Sequence, residues 1–308
     1  MNGTGDLPAN RNMKYYYGSW MRRQFKDTVM GLSAGDDKLV MVLGDVSVYL
    51  FKEFQDKYPD RFYNMGICEN TLISVSAGLA SQGFYPFVHT INPFLTERSY
   101  EQIKLDMCYN RFGGNIVTCG ASFDYAWDGA THQSYTDLAI LRMLPDVEVI
   151  QPGSRKELDV LLRSQYDNGK VTYYRLSDKP HTIDLPVKFG RAEILKDCSG
   201  KVTVMTAGPI LGNVFEACKD LQVNLVYFHT IKPIDKEIIE KFRNTDIVII
   251  HDAFGLFEAV CETAGLSATY YGLPKDRFCD TYGTFEAIRE DIGLDVISIK
   301  EMLRKKLL

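Results

Sequence analysis

The sequence predicts an α/β protein built of two three-layer α/β/α domains with mainly parallel sheets. Short apolar runs rich in β-forming residues alternate with helical patterns along most of the chain, which is typical of parallel strands joined by crossover helices. The 308 residues are enough for two domains of ordinary size. A hydrophobic share of 45% and a charged share of 24% are those of a globular protein, so neither disorder nor a coiled coil describes the whole chain.

The first predicted domain contains six apolar runs and three helical patterns. The runs predict strands at 38–44, 61–67, 84–90, 115–119, 147–151 and 171–175. The helical patterns cover 69–82, 93–110 and 154–167. Pro93 falls in the first turn of its helix, where proline is tolerated. Residues 120–133 are predicted to form a polar loop that contains glycine.

A second, smaller α/β unit follows a segment with two prolines and little periodicity. Its strands are predicted at 201–206, 223–228 and 246–251, and its helices at 210–221 and 235–242. The predicted division is a loose polar arm at 1–13, a domain at 14–178, a linker at 179–190 and a domain at 191–308.

Composition excludes several classes of function. The chain has 35 Lys and Arg against 40 Asp and Glu, a net charge of −5, and no basic run that would bind nucleic acid or an anionic membrane. Its longest apolar runs fall far short of the ~20 residues that cross a bilayer, and residues 1–13 lack the apolar core of a signal peptide. The seven cysteines form no Cys-x-x-Cys pair. These features predict a reduced, cytoplasmic protein.

The most informative residue is Glu69, which stands where a predicted strand ends and a helix begins. An acid at a helix N-terminus is stabilised by about 0.3–1 kcal/mol, and this is the plain structural explanation. The helix that follows is rich in Ser, Ala and Gly, which allow two helices to approach closely. The sequence contains no Rossmann glycine motif, P-loop or nucleophile elbow.

Four segments together resemble the thiamine-diphosphate-dependent transketolases, in the half that carries the pyrimidine-binding and C-terminal domains. They are PDRFYNMGICEN at 59–70, FLTERSYEQI at 94–103, DGATHQ at 128–133 and GLPKDRF at 272–278. The resemblance implies a thiamine-diphosphate-binding fold followed by a transketolase C-terminal domain.

The resemblance also implies a site for the pyrimidine ring of the cofactor. Glu69 matches the glutamate that hydrogen-bonds a pyrimidine nitrogen and so promotes loss of the thiazolium proton. Phe94 matches a stacking aromatic residue, while Ile91 stands where the family often has another phenylalanine. Arg98 lies in the segment beside the ring, and Asp45 matches a carboxylate near the cofactor.

Substrate contacts are implied in the same way. His132 and Asp128 match residues that contact the ketose hydroxyls, and His132 is implied in catalysis. Transketolases hold a sugar phosphate with a His, two Arg and a Ser, of which only Arg22 is retained. The other three positions are occupied by Gly120, Tyr49 and Asp178, with Lys179 beside the last. The acceptor is therefore expected not to be a simple pentose or tetrose phosphate; a modified or nucleotide-activated sugar is expected instead.

The Gly-Asp-Gly motif that binds Mg²⁺ and the diphosphate is absent from the sequence. The resemblance therefore implies a partner subunit. This N-terminal-half polypeptide would hold the Mg²⁺ and the diphosphate for the most part, in a heterotetramer of two plus two chains. Two other enzymes remain open: a 2-oxo acid dehydrogenase-type beta subunit, against which the DGATHQ motif argues, and a 1-deoxyxylulose-5-phosphate synthase-like enzyme. A third alternative is a structural subunit with a vestigial site, against which Glu69 and His132 argue.

Overall fold

The computed structural model describes residues 20–265 and 267–308, so the predicted arm at 1–13 lies outside the described residues. Two mostly parallel sheets with flanking helices are present, and the predicted α/β class is confirmed. The twelve strands of the described residues are β1 (Leu39–Leu43), β2 (Phe62–Asn64), β3 (Tyr85–Ile91), β4 (Gly114–Cys119), β5 (Val147–Ile150), β6 (Val171–Arg175), β7 (Glu193–Lys196), β8 (Val202–Ala207), β9 (Val223–Phe228), β10 (Thr230–Lys232), β11 (Asp246–His251) and β12 (Thr269–Gly272).

The first sheet has the strand order β10-β5-β6-β4-β3-β1-β2, and the second has the order β12-β11-β8-β9-β7. All neighbours are parallel except β10 against β5 and β7 against β9. Strand β10 lies inside the range predicted for the second domain, yet it is hydrogen-bonded to the first sheet. The predicted domain boundaries remain a prediction.

Helices cover both sheets. Those of the described residues are α1 (Trp20–Ser33), α2 (Lys52–Lys57), α3 (Glu69–Ser81), α4 (Asn92–Thr96), α5 (Tyr100–Gln102), α6 (Asp137–Arg142), α7 (Arg155–Gln165), α8 (Leu211–Cys218), α9 (Lys236–Lys241), α10 (Leu256–Ala264), α11 (Phe285–Asp291) and α12 (Val296–Leu307). Helix α3 buries Leu72, Ile73 and Ala77 in the core of the first sheet, and this packing fixes the position of Glu69 at its start.

The helix predicted over 93–110 is broken into α4, α5 and a π-helical segment, Ile103–Tyr109. Side chains compete with the helical hydrogen bonds near the break, since the Thr96 hydroxyl donates to the Asn92 carbonyl and the Ser99 hydroxyl to the Phe94 carbonyl. Along this broken segment, Arg98 contacts Glu69, and Phe94 contacts His132 of the loop at 120–133.

Candidate active site

The candidate site lies where parallel strands of the first sheet end. In open α/β sheets, ligands bind outside the carboxyl ends of the strands. Asp45 follows β1, Glu69 follows β2, Phe94 follows β3 and Tyr125 follows β4. Because these strands are parallel neighbours, the four residues reach one edge of the sheet.

Glu69 is buried at the start of α3, with 3% of its surface exposed. Its Oε2 lies 3.0 Å from Nη1 of Arg98, which is half exposed. The Arg98 guanidinium also covers the Phe94 ring, with 4.4 Å between its Cζ and the ring centroid. A buried acid, a cation and an aromatic ring therefore form one contiguous group.

His132 joins this group through Phe94, with ring centroids 5.0 Å apart and an edge-to-face angle of 73°. The Thr131 hydroxyl lies 2.9 Å from His132 Nδ1 and donates to the Asp128 carbonyl at 3.2 Å. When Nδ1–H donates to this hydroxyl, Nε2 is the acceptor nitrogen of the ring. Asp128 itself is exposed.

A cleft of about 580 Å³, within the size range of small-molecule sites, adjoins this group through Tyr125, whose ring centroid lies 6.1 Å from that of His132. Loop 45–49 supplies most of its wall, and Ile91 and Tyr125 complete it. Asp45 and Ile91 thus line the cleft. The Asn64 side chain holds Asp45, accepting from its backbone N–H at 3.0 Å and donating to its carboxylate at 3.2 Å.

The positions that would hold a phosphate are changed in structure as well as in sequence. A Cβ at Gly120 would lie 2.2 Å from the Tyr125 ring, so that ring occupies the space of a side chain. Arg22 is buried and pairs with Asp178 at 3.3 Å. Lys179 pairs with Glu286 of the second domain at 2.8 Å. The described ion pairs thus engage both predicted cations with carboxylates.

A half-buried carboxyl, that of Asp124, holds Asp178 in place. It accepts from the Ser177 hydroxyl at 2.9 Å and from the Asp178 backbone N–H at 2.8 Å. Burial and the charge of Asp178 raise the pKa of Asp124 to about 8.

We expect Asp124→Asn to flatten the pH dependence of stability. The pKa of Asp124 is higher in the folded chain than the usual 3.8. Asp124 therefore contributes fully to the free energy of unfolding below about pH 4, and this contribution is lost as pH rises through 8. An asparagine does not ionise; its Oδ1 can accept from the Asp178 N–H, and its Nδ2 can donate to the Ser177 hydroxyl. Between pH 5 and pH 8, urea unfolding should show the free energy of unfolding of the wild-type chain falling by about 3–4 kcal/mol more than that of the variant. Asp60→Asn, an exposed control, should follow the wild type; equal slopes for all three chains would contradict the expectation.

A second buried network fixes the loop that carries His132. Asp137 Oδ2 accepts from Arg175 Nε at 2.8 Å, from the Tyr173 hydroxyl at 2.5 Å and from Asn92 Nδ2 at 3.0 Å. Arg175 Nη2 donates to the Ser134 carbonyl at 2.7 Å, two residues beyond His132. Arg175 and Asp137 are both fully buried.

Several residues of this site are not among those that the sequence analysis selected. Tyr125, Ser47 and Tyr49 line the cleft, and only Tyr49 had been noted, as a missing phosphate contact. Gln133 is buried, and within the described residues its amide has no hydrogen-bond partner, which a ligand, a water molecule or another chain would supply. The Thr-His-Gln motif pointed to this last residue; nothing in the sequence pointed to Ser47.

Comparison with known proteins places the chain in a family. A model of the transketolase pyrimidine-binding domain matches residues 20–179, just over half of the chain. The chain belongs to the transketolase family. One of the subunits of an apulose-4-phosphate transketolase from Phocaeicola vulgatus is 29% identical over 89% of this chain and 93% of its own length.

Other members of the transketolase family match nearly the whole chain. A 1-deoxy-D-xylulose-5-phosphate synthase of Heliobacterium modesticaldum is 28% identical over 98% of this chain, which spans half the length of that synthase. A solved structure, the inactive β4 tetramer of a split-gene transketolase, is 27% identical with a TM-score of 0.79, covering 93% of this chain and 97% of that one.

Transketolases depend on thiamine diphosphate, and the residues at this edge fit its pyrimidine end. A buried acid beside an aromatic ring suits a ring nitrogen and a stacked heterocycle, and the Gln133 amide lacks a partner within the described residues. For Mg²⁺ the fit fails: residues 20–265 and 267–308 contain no group of three or more His, Cys, Asp or Glu side chains that could hold a metal.

In the same ranges, no helix has both the length and the apolar character to span a membrane.

Proposed function

We propose that this chain is the C-terminal subunit of a two-chain transketolase, which transfers a two-carbon ketol unit from a ketose donor to an aldehyde or keto-sugar acceptor. One observation carries the proposal: Glu69, Arg98, Phe94 and His132 form a continuous line of contacts, and the Tyr125 ring of the cleft wall lies 6.1 Å from the His132 ring between centroids. An acid for the cofactor and a base for the sugar thus both lie close to a single ring, that of Phe94, at one edge of the sheet.

Thiamine diphosphate, when bound, supplies a carbanion that attacks the ketose carbonyl. Glu69 would hold the pyrimidine ring by sharing a proton at its carboxyl, and burial keeps water away from that proton. Phe94 and Ile91 would form the wall against the ring, with Arg98 and Asp45 at its margin. His132 would accept a hydrogen bond from a ketose hydroxyl at Nε2 and stabilise charge developing on the donor oxygen, with Asp128 as a second contact.

The acceptor is proposed to be a modified or nucleotide-activated sugar. A simple sugar phosphate needs charge-assisted hydrogen bonds from several cations. Here Arg22 pairs with Asp178, Lys179 pairs with Glu286, and the Tyr125 ring covers Gly120. These contacts support an acceptor sugar that is bound by means other than ion pairs to a phosphate, with Arg22 and Lys179 at the margin of its site.

The diphosphate and Mg²⁺ are proposed to be held largely by a partner chain with the Gly-Asp-Gly motif, in a cytoplasmic heterotetramer. The related split-gene transketolase chain, which forms an inactive β4 tetramer, supports self-association of such subunits.

The test is reconstitution with an N-terminal-half polypeptide that bears Gly-Asp-Gly, sought in a neighbouring reading frame. With thiamine diphosphate and Mg²⁺, the complex should transfer glycolaldehyde units from a ketose, and neither chain alone should do so. Calorimetry should show that the cofactor binds the complex far more tightly than this chain alone.

Two outcomes would redirect the proposal. Turnover of pyruvate with an aldehyde sugar would favour the 1-deoxyxylulose-5-phosphate synthase-like alternative, and acyl transfer from pyruvate to lipoamide would favour the dehydrogenase-type beta subunit. An assembled complex that binds the cofactor but transfers nothing from any ketose would contradict the proposed reaction.

A further inference from the structure

Loop 45–49, which supplies most of the cleft wall, has an unusual backbone. Asp45 and Ser47 have φ angles of 62° and 61°, in the left-handed region that residues other than glycine rarely adopt. Such conformations persist only where surrounding contacts enforce them. Asn64 supplies such contacts to Asp45, so Ser47 needs an enforcing contact of its own.

That contact comes from His89 of β3. The Ser47 hydroxyl lies 3.0 Å from His89 Nε2, and Nδ1 of the same ring lies 2.8 Å from the Val117 carbonyl. The His89 ring is fully buried, and it packs against Phe25 with 5.2 Å between ring centroids. Ser47 is itself buried, whereas the rest of loop 45–49 is half-buried or exposed.

The direction of these hydrogen bonds follows from their partners. A carbonyl oxygen can only accept, so Nδ1 carries the proton and donates to Val117. Burial and the charge of Arg22 lower the pKa of His89 to about 4, so the ring is neutral near pH 7. In the neutral ring Nε2 has no proton and accepts from the Ser47 hydroxyl. His89 is thus a fixed acceptor, built into the sheet, for one side chain of the loop.

We propose that His89 is a positioning residue of the cleft, which holds loop 45–49 in its left-handed turn through Ser47 and so places Asp45 and Tyr49 on the cleft wall. The inference rests on the proposed function, since the cleft is where that function binds its ligands. His89 touches no ligand in this account; it acts through Ser47.

Two substitutions at position 47 separate this role from simple packing. Ser47→Ala removes the hydroxyl and keeps the strained Cβ, whereas Ser47→Gly removes the hydroxyl and also the strain, because glycine adopts positive φ readily. We expect Ser47→Ala to raise the KM of the reconstituted complex for its ketose about tenfold, the effect of one lost hydrogen bond, with kcat little changed. Ser47→Gly should stay closer to wild type, although glycine ordinarily costs more stability than alanine.

Amide hydrogen exchange of residues 45–51 in the full chain should rank the wild type and the two variants in the same order as KM. This measurement does not require an active complex. Exchange should be fastest in Ser47→Ala and intermediate in Ser47→Gly. At position 89, His89→Gln keeps a hydrogen-bond acceptor, whereas His89→Leu keeps only the volume of the side chain. Hydrogen exchange of the loop should therefore be slower in His89→Gln than in His89→Leu.

Exchange and KM equal to wild type in Ser47→Ala would overturn the inference, as would a Ser47→Gly chain that is worse than Ser47→Ala in both. A wild-type complex without ketol transfer would count against the proposed function alone, since hydrogen exchange would still decide the role of His89.

Discussion

Glu69→Gln should lower the ketol transfer rate of the reconstituted complex by about 100-fold or more, the range expected when a proton-transferring group is lost. The glutamine keeps the size and one acceptor oxygen but cannot share a proton with a ring nitrogen. It also loses the charge that pairs with Arg98 at 3.0 Å. Glu69 is the first residue of α3 and is not one of the apolar residues that this helix packs into the core. We therefore expect the Glu69→Gln chain to keep its fold.

Steady-state kinetics with saturating cofactor measures this effect. Glu101→Gln is a matched control, since Glu101 also lies in the first turn of a helix beside the site but is exposed. It should leave the rate within about twofold of wild type. Full activity of Glu69→Gln with normal assembly would show that Glu69 only stabilises the helix N-terminus, and would revive a structural role for the chain.

Asp137→Ala should lower the free energy of unfolding by about 3–5 kcal/mol, because it leaves the guanidinium of Arg175 buried without its counter-charge. The substitution also removes the acceptor of the Tyr173 hydroxyl and of Asn92 Nδ2. Since Arg175 also holds the Ser134 carbonyl, we expect the loop that carries His132 to loosen.

Urea unfolding of the full chain measures the loss. Asp184→Ala removes one partner of an exposed ion pair, Lys156–Asp184 at 2.6 Å, and should cost about 0.5 kcal/mol or less. A loss in Asp137→Ala as small as in this control would mean that the buried pair contributes little to stability. In that case water would have to reach Arg175 in the variant.

The sequence predicted local structure well where both faces of a strand are buried. The strands Val171–Arg175, Val223–Phe228 and Asp246–His251 have the predicted bounds, because continuous apolar runs leave few alternatives. The helix expected over 93–110 was wrong, since its periodicity gives no sign that the Thr96 and Ser99 hydroxyls would compete for main-chain carbonyls.

The site was predicted unevenly for a similar reason. Glu69, Phe94 and His132 belong to recognisable motifs, and the structure places them in contact with one another or with Arg98; their roles stay predictions. The contacts of Ser47 and Asp124 depend on pairing between residues 42 and 54 positions apart, which no local pattern reveals. Likewise His251 hydrogen-bonds Gln151, 100 positions away in the sequence, at 2.9 Å.

Strand β10 makes the two halves of this chain unsuitable for exchange as separate modules. It pairs with Val147–Ile150, and its last residue, Lys232, donates to the carbonyls of Arg142 and Leu144. A fragment cut in the segment 179–190 would leave this outermost strand behind and expose the main-chain donors and acceptors of Val147–Ile150. A bare edge of that kind invites aggregation, so chimeras made with related proteins should carry residues 230–232 together with the first sheet.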